Sequence, residues 1–155
     1  MSAAEIDAER LMMSTLANLL DQGRVIDGTS RLITAAAMIS LLLLPLTTGL
    51  SFGLPTAITM AVAAVGLGET YFAFRVGFDA ALFRGLAGRP SGPDLAELDG
   101  ALRGLGLIPD AKTGRPLAER ATGARSLLYT QGTLLAAQAV LILIDGALVG
   151  VGLAR

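Results

Sequence analysis

The sequence predicts an all-α membrane protein with three transmembrane helices, an N-terminal amphipathic helix and a helical loop. Two uncharged stretches carry this prediction: residues 32–68, 37 in all, and residues 126–144, 19 in all. A bilayer core requires about 20 apolar residues per helix. Composition agrees, because charged residues make up 16% of the chain against roughly 25% in soluble domains.

The first uncharged stretch is long enough for two helices. Residues 47–55 contain two glycines and a proline, which favour a turn. The sequence therefore predicts spans at about 31–48 and 55–75. The alternative is a re-entrant loop in which Pro45 breaks the first limb, although such a backbone must be shielded by other protein. Both alternatives return the chain to its starting side.

The third span is predicted at about 126–153, and helical periodicity also predicts an amphipathic helix at residues 4–21. Its apolar residues gather on one side: Ile6, Met12, Met13, Leu16, Ala17, Leu19 and Leu20. This face either covers the protein's own end of the bundle or packs against a partner or the membrane surface.

The segment between the second and third spans is predicted to be a loop with short helices. The second span continues to about Arg84, and residues 88–93 break it because they are rich in Gly and Pro. A short amphipathic helix follows from Asp94 to Leu105, and Pro116 suits the first turn of the last helix. We expect a single helical membrane unit, divided into segments 1–30, 31–75, 76–125 and 126–155.

The basic residues predict the orientation. Eight of the 12 lie within residues 75–125, and the turn near residue 50 has none. The positive-inside rule then places the N-terminus and the loop in the cytoplasm and the C-terminus on the periplasmic or extracellular side. The acidic residues at positions 5, 7 and 9 argue against a signal peptide. Since only one basic residue is a lysine, we expect a GC-rich bacterial source and hence the bacterial inner membrane.

The residues that the chain lacks exclude several chemistries. Without Cys or His, the chain has no thiol nucleophile, no His-ligated metal and no Ser-His-Asp triad. A net charge of -1 gives no electrostatic footprint for nucleic acid. We therefore expect no enzyme activity, no cofactor and no nucleic-acid partner.

Polar residues on the third span recur every seven positions. Gln131, Gln138 and Asp145 line one side of a helix, with only about 20° of drift per heptad. Gly146 and Gly150 form a GxxxG pattern that permits close helix approach. These five residues are the predicted helix-interface candidates, because a polar stripe should face other helices or a water-filled path.

Glu69 is a carboxylate within the second span, and residues of this kind are functional candidates. Gln131 lies six residues past Arg125 just as Glu69 lies six before Arg75. If the connection between the first two spans is centred near residue 52, Ala35 lies at the same depth as Glu69. Arg31 then lies one helical turn from Ala35, closer to the cytoplasm. The sequence thus predicts that Arg31, Gln131 or both hold Glu69.

The leading functional hypothesis is a small accessory or assembly subunit of a membrane complex, acting through helix–helix contacts. Its partners would be the lipid bilayer and other membrane subunits or further copies of itself. The alternative is a homo-oligomeric channel or ion-coupled transporter that uses Glu69 and Asp145. A membrane enzyme that uses carboxylates alone is a third class.

Overall fold

The computed structural model describes residues 3–48, 53–89 and 94–153, and these residues form helices without any strand. The helices are α1 (Ala3–Asp21), α2 (Gly23–Thr48), α3 (Leu54–Ala87), α4 (Leu95–Gly104), a 3-10 turn (Asp110–Lys112) and α5 (Leu117–Leu153). Three segments are long and apolar enough to cross a membrane: Ala4–Leu44, Leu54–Ala87 and Leu117–Gly150. The predicted fold class is confirmed.

The helix of the first span begins eight residues earlier than the predicted span. The predicted first span begins at Arg31, but α2 begins at Gly23. Arg31 donates from Nε to Asp27 at 2.7 Å, an i,i+4 pair that supports a helix through both charges. Only Gln22 separates α2 from α1.

α2 also continues through Pro45 to Thr48 without a break. The premise of the re-entrant alternative, that this proline ends the first limb, is therefore wrong. Proline is tolerated within transmembrane helices because local adjustments satisfy the carbonyl that it frees. The predicted turn at residues 49–52 lies outside the described residues.

The chain divides into two compact units. The first, called the loop unit here, comprises Met1–Gln22 and Val76–Leu127. The second, called the span unit, comprises Gly23–Arg75 and Leu128–Arg155. A buried cluster of Ala37, Ile58, Val62 and Ala63 lies in the span unit, with Ile33, Leu41 and Leu141 packed against it.

The loop unit buries one face of α1. Met13, Leu16, Ala17 and Leu20 are buried, whereas Met12 and Leu19, which the periodicity grouped with them, are each 43% exposed. Contacts with the end of α3 fix α1 in place: Asp21 pairs with Arg84, and the Arg10 guanidinium donates to the Arg89 carbonyl at 2.6 Å. α1 therefore covers this protein's own loop unit, the first of its two predicted roles.

α4 begins where the sequence predicts. The Asp94 carboxylate accepts from the Glu97 amide at 2.9 Å and caps the helix. Leu102 is buried, but Leu105, the predicted last residue of this helix, is 73% exposed because α4 has already ended at Gly104. Gly106 and Gly114 adopt φ values of 68° and 70°, which glycine reaches without steric cost.

Candidate functional site

The first polar layer of the span unit joins its three helices at Gln131. This side chain is completely buried, as is Glu69. The Gln131 amide nitrogen donates to Glu69 Oε1 at 2.7 Å and to the Gly23 carbonyl at 2.8 Å. One glutamine on α5 thus ties the beginning of α2 to the middle of α3.

The second polar layer is centred on Gln138, one heptad further along α5. Its Oε1 accepts from the Ser30 hydroxyl at 2.6 Å. Its Nε2 donates to Thr34 Oγ1 at 3.1 Å and to the Val62 carbonyl at 3.2 Å. Gln138 is fully buried, and every hydrogen-bonding atom of its amide has a partner.

Gly66 allows this second layer to form. A Cβ at position 66 would lie 1.8 Å from Thr34 Oγ1 and 2.4 Å from Gln138 Nε2. No side chain fits there without displacing one of these groups. Gly68, two residues along the same helix, has open space around the position of its missing Cβ. The close approach is therefore specific to Gly66.

The two layers differ in how completely their polar atoms are paired. Glu69 Oε2 and Gln131 Oε1 are buried and have no hydrogen-bond partner among the described residues. A carboxylate oxygen and an amide oxygen both accept hydrogen bonds, so Glu69 as a carboxylate cannot satisfy Gln131 Oε1. The first layer thus contains two uncompensated oxygens, and a buried acceptor without a donor is destabilising.

Arg31 does not hold Glu69, so this part of the sequence prediction is wrong. Its Nε is bonded to Asp27, and its guanidinium lies 5.8 Å from the centre of the Phe74 ring. The neighbouring position, Ser30, faces the bundle. Successive residues are about 100° apart around a helix, so Arg31 is turned away from Glu69.

The predicted register between the first two spans is also shifted. Thr34 lies against Gly66, so residue 31, and not Ala35, comes opposite Glu69. The difference is one helical turn. In contrast, α3 and α5 have the register that the mirrored spacing predicts. Gln131 contacts Glu69, each six residues from Arg125 and Arg75 respectively, and Gln138 contacts Val62, each 13 residues from the same two arginines.

Comparison of the chain with protein-family models, with curated proteins and with solved structures found no match.

The remaining interface candidates lie on a stretch of α5 that makes little contact with the rest of the chain. From Ala139 to Gly150 each residue is exposed or half-buried. A Cβ at Gly146 or Gly150 would meet nothing within 4 Å. Asp145 Oδ1 has no partner among the described residues. The heptad stripe is thus fully buried at its first two positions and only half-buried at the third, Asp145.

A second buried carboxylate, Asp99, lies in the loop unit and was not anticipated. Arg120 donates to its Oδ1 at 2.6 Å, and the Gly114 amide donates to its Oδ2 at 2.7 Å. Burial by itself raises the pKa of Asp99, but these two hydrogen bonds and the charges of Arg120 and Arg115 outweigh it and lower the pKa. Asp99 therefore ties α4 to the beginning of α5.

The arrangement is suited to holding helices together. Within the described residues, no group of three or more carboxylates lies close enough together to hold a metal ion. Ser30, Thr34 and Gly66 complete the second layer, yet sequence reasoning did not select Ser30 or Thr34. Their spacing of four residues, which puts both hydroxyls on one face of α2, was the available signal.

Proposed function

We propose that the protein is a small accessory or assembly subunit of a bacterial inner-membrane complex, and that it acts through helix–helix contacts. The observation that carries this proposal is the largely exposed stretch of α5 from Ala139 to Gly150, in which only Leu141 and Asp145 are half-buried. In the apolar part of α5 only 6% of residues are buried within the chain, compared with 28% in α3. This stretch is thus available to another protein.

The chemistry of this largely exposed stretch favours a helix as its partner. Asp145 is costly against lipid unless it is paired, and Gly146 and Gly150 leave a groove in which a second backbone can approach closely. A helix of another subunit with a hydrogen-bond donor would cover both features. The buried layers around Gln131 and Gln138 support a scaffolding role, because they hold the three spans in a fixed arrangement.

The channel or transporter alternative has less support. Glu69 is bonded to Gln131, and Asp145 lies 14 residues further along α5, about 21 Å at 1.5 Å per residue. The two carboxylates are therefore too far apart to form one ion site. The same separation argues against an enzyme in which a pair of carboxylates acts on one bond.

Co-purification from native membranes in mild detergent tests the proposal. We expect a defined hetero-complex that contains this chain, and we expect Gly150→Leu to reduce its yield several-fold because a large side chain fills the groove. Val149→Leu is the matched control, since Val149 is 46% exposed and adjacent in sequence. A symmetric homo-oligomer would favour the channel alternative, and equal yields from both variants would contradict close packing at Gly150.

The orientation is proposed from the positive-inside rule, and cysteine labelling tests it directly because the chain contains no cysteine. Single cysteines near Ser51 and Arg155 should react with an impermeant reagent added to intact cells. A cysteine near Gly100 should react only after the cells are opened. Labelling at position 100 in intact cells would reverse the proposed orientation.

A further inference from the structure

The surface shared by α2 and α3 carries two arginines beside an exposed aromatic ring. Arg31 is 53% exposed in its side chain and uses Nε for its bond to Asp27. Its guanidinium lies over the Phe74 ring, which is 69% exposed. These contacts hold Arg31 against α3, while its terminal Nη groups have no hydrogen bond within the described residues.

Arg75 follows Phe74 directly and is also exposed. Its Nη1 lies 3.5 Å from the Tyr71 hydroxyl, a long contact that uses one of its donors. The Tyr71 ring packs edge-on against Phe72 with a centroid separation of 5.4 Å. Arginine with an amphipathic aromatic residue one turn further into the span is typical of the membrane–water interface. We therefore expect the two guanidinium groups to lie at headgroup level.

An exposed stripe runs from these arginines along α3. Its members recur every three or four residues and therefore share one face of the helix. They are Phe74, Tyr71, Leu67, Ala64 and Met60. From Arg75 to Met60 the helix rises over 15 residues, about 22 Å, and one leaflet with its headgroup region is half of about 40–45 Å. The stripe is as long as one phospholipid.

We propose that Arg31 and Arg75 bind the phosphate of an anionic phospholipid whose acyl chains lie along this stripe of α3. Guanidinium groups bind phosphate oxygens through paired N–H donors. At this surface Asp27 pairs with Arg31, and the Tyr71 hydroxyl lies near Arg75. Two guanidinium groups favour an anionic headgroup over a zwitterionic one.

Lipid retention by the purified full-length protein tests this proposal. The protein is equilibrated in mild detergent with equal amounts of phosphatidylglycerol and phosphatidylcholine that have identical chains, and native mass spectrometry then measures which lipid remains bound. We expect preferential retention of phosphatidylglycerol. A basic residue near an anionic lipid surface strengthens lipid binding. We therefore expect Arg75→Gln to reduce the preference for phosphatidylglycerol about five-fold.

Arg75→Gln is the main variant, because its one described side-chain contact is the long contact with Tyr71. Arg31→Gln should cause a similar loss, although it also leaves Asp27 without its partner. Arg103→Gln is the matched control: this arginine is 60% exposed and pairs with Asp110 at 3.6 Å on the loop unit. We expect Arg103→Gln to retain the wild-type preference.

Three results would overturn the lipid site. The first is equal retention of the two lipids by the wild-type protein, which would mean an unselective lipid shell. The second is an unchanged preference in Arg75→Gln. The third is displacement of phosphatidylglycerol by an excess of inorganic phosphate at equal concentration, which would mean that the arginines bind a soluble anion and that the stripe contributes nothing.

Discussion

Replacement of Glu69 by glutamine should stabilise the span unit. In the wild-type protein, Glu69 Oε2 and Gln131 Oε1 are buried acceptors without a donor among the described residues. A glutamine at position 69 keeps an oxygen that can accept from Gln131 Nε2. It also supplies an amide N–H that can donate to Gln131 Oε1. The substitution therefore allows two hydrogen bonds between positions 69 and 131, and it removes a formal charge from the membrane.

The expected gain can be worked from these two effects. One hydrogen bond within a membrane contributes about 0.6 kcal/mol on average. A carboxylate costs about 2.5–3.5 kcal/mol at the bilayer centre and less toward an end, and Glu69 lies six residues from Arg75. We expect Glu69→Gln to raise the free energy of unfolding by about 1 kcal/mol.

Glu69→Leu separates the hydrogen bonds from the charge. It removes the same charge, but it leaves Gln131 with only the Gly23 carbonyl as a partner. An unpaired buried polar group costs about 1–3 kcal/mol. The leucine variant should therefore be less stable than the glutamine variant by about 1–2 kcal/mol.

Reversible unfolding in mixed detergent micelles measures these differences. Glu119→Gln is the matched control, because Glu119 is exposed in the first turn of α5, and it should change the free energy of unfolding by no more than about 0.5 kcal/mol. Equal stability of Glu69→Leu and Glu69→Gln would refute the reasoning. If Glu69→Gln instead left the fold and assembly intact but abolished a cation flux, the transporter alternative would be correct.

Two further substitution sites give separate tests. Gly66→Ala should destabilise the span unit by about 2 kcal/mol, because its Cβ would lie 1.8 Å from Thr34 Oγ1. Gly68→Ala has open space and should be neutral or stabilising by up to about 1 kcal/mol; equal losses in the same unfolding assay would contradict the close approach. Because folding lowers the pKa of Asp99, its carboxylate stabilises the folded state above about pH 4, the ordinary carboxyl value. This stabilisation is lost as the pH falls through the folded pKa. Limited proteolysis within residues 94–117 should therefore accelerate below about pH 4, and Asp99→Asn should flatten this pH dependence while raising cleavage at neutral pH.

The sequence alone determined the order of the helices and much of the first polar layer. The uncharged stretches gave three spans, because apolar length and charge spacing are properties of the chain itself. The heptad spacing put Gln131 and Gln138 on one side of α5, where both are buried. The mirrored distances of Glu69 and Gln131 from Arg75 and Arg125 also gave the register of α3 and α5.

Only the tertiary structure decided which side of each helix faces the bundle and how closely the backbones approach. Arg31 was placed at nearly the right depth, yet Ser30 beside it faces Gln138, because a rotation of about 100° separates neighbouring residues. Nothing in the sequence distinguishes Gly66 from the other glycines, and only the structure places Thr34 against it. Asp99 meets Gly114 and Arg120 across 15 and 21 residues of chain. Sequence spacing reports distance along a helix axis, whereas rotation about that axis and the separation between axes follow from packing.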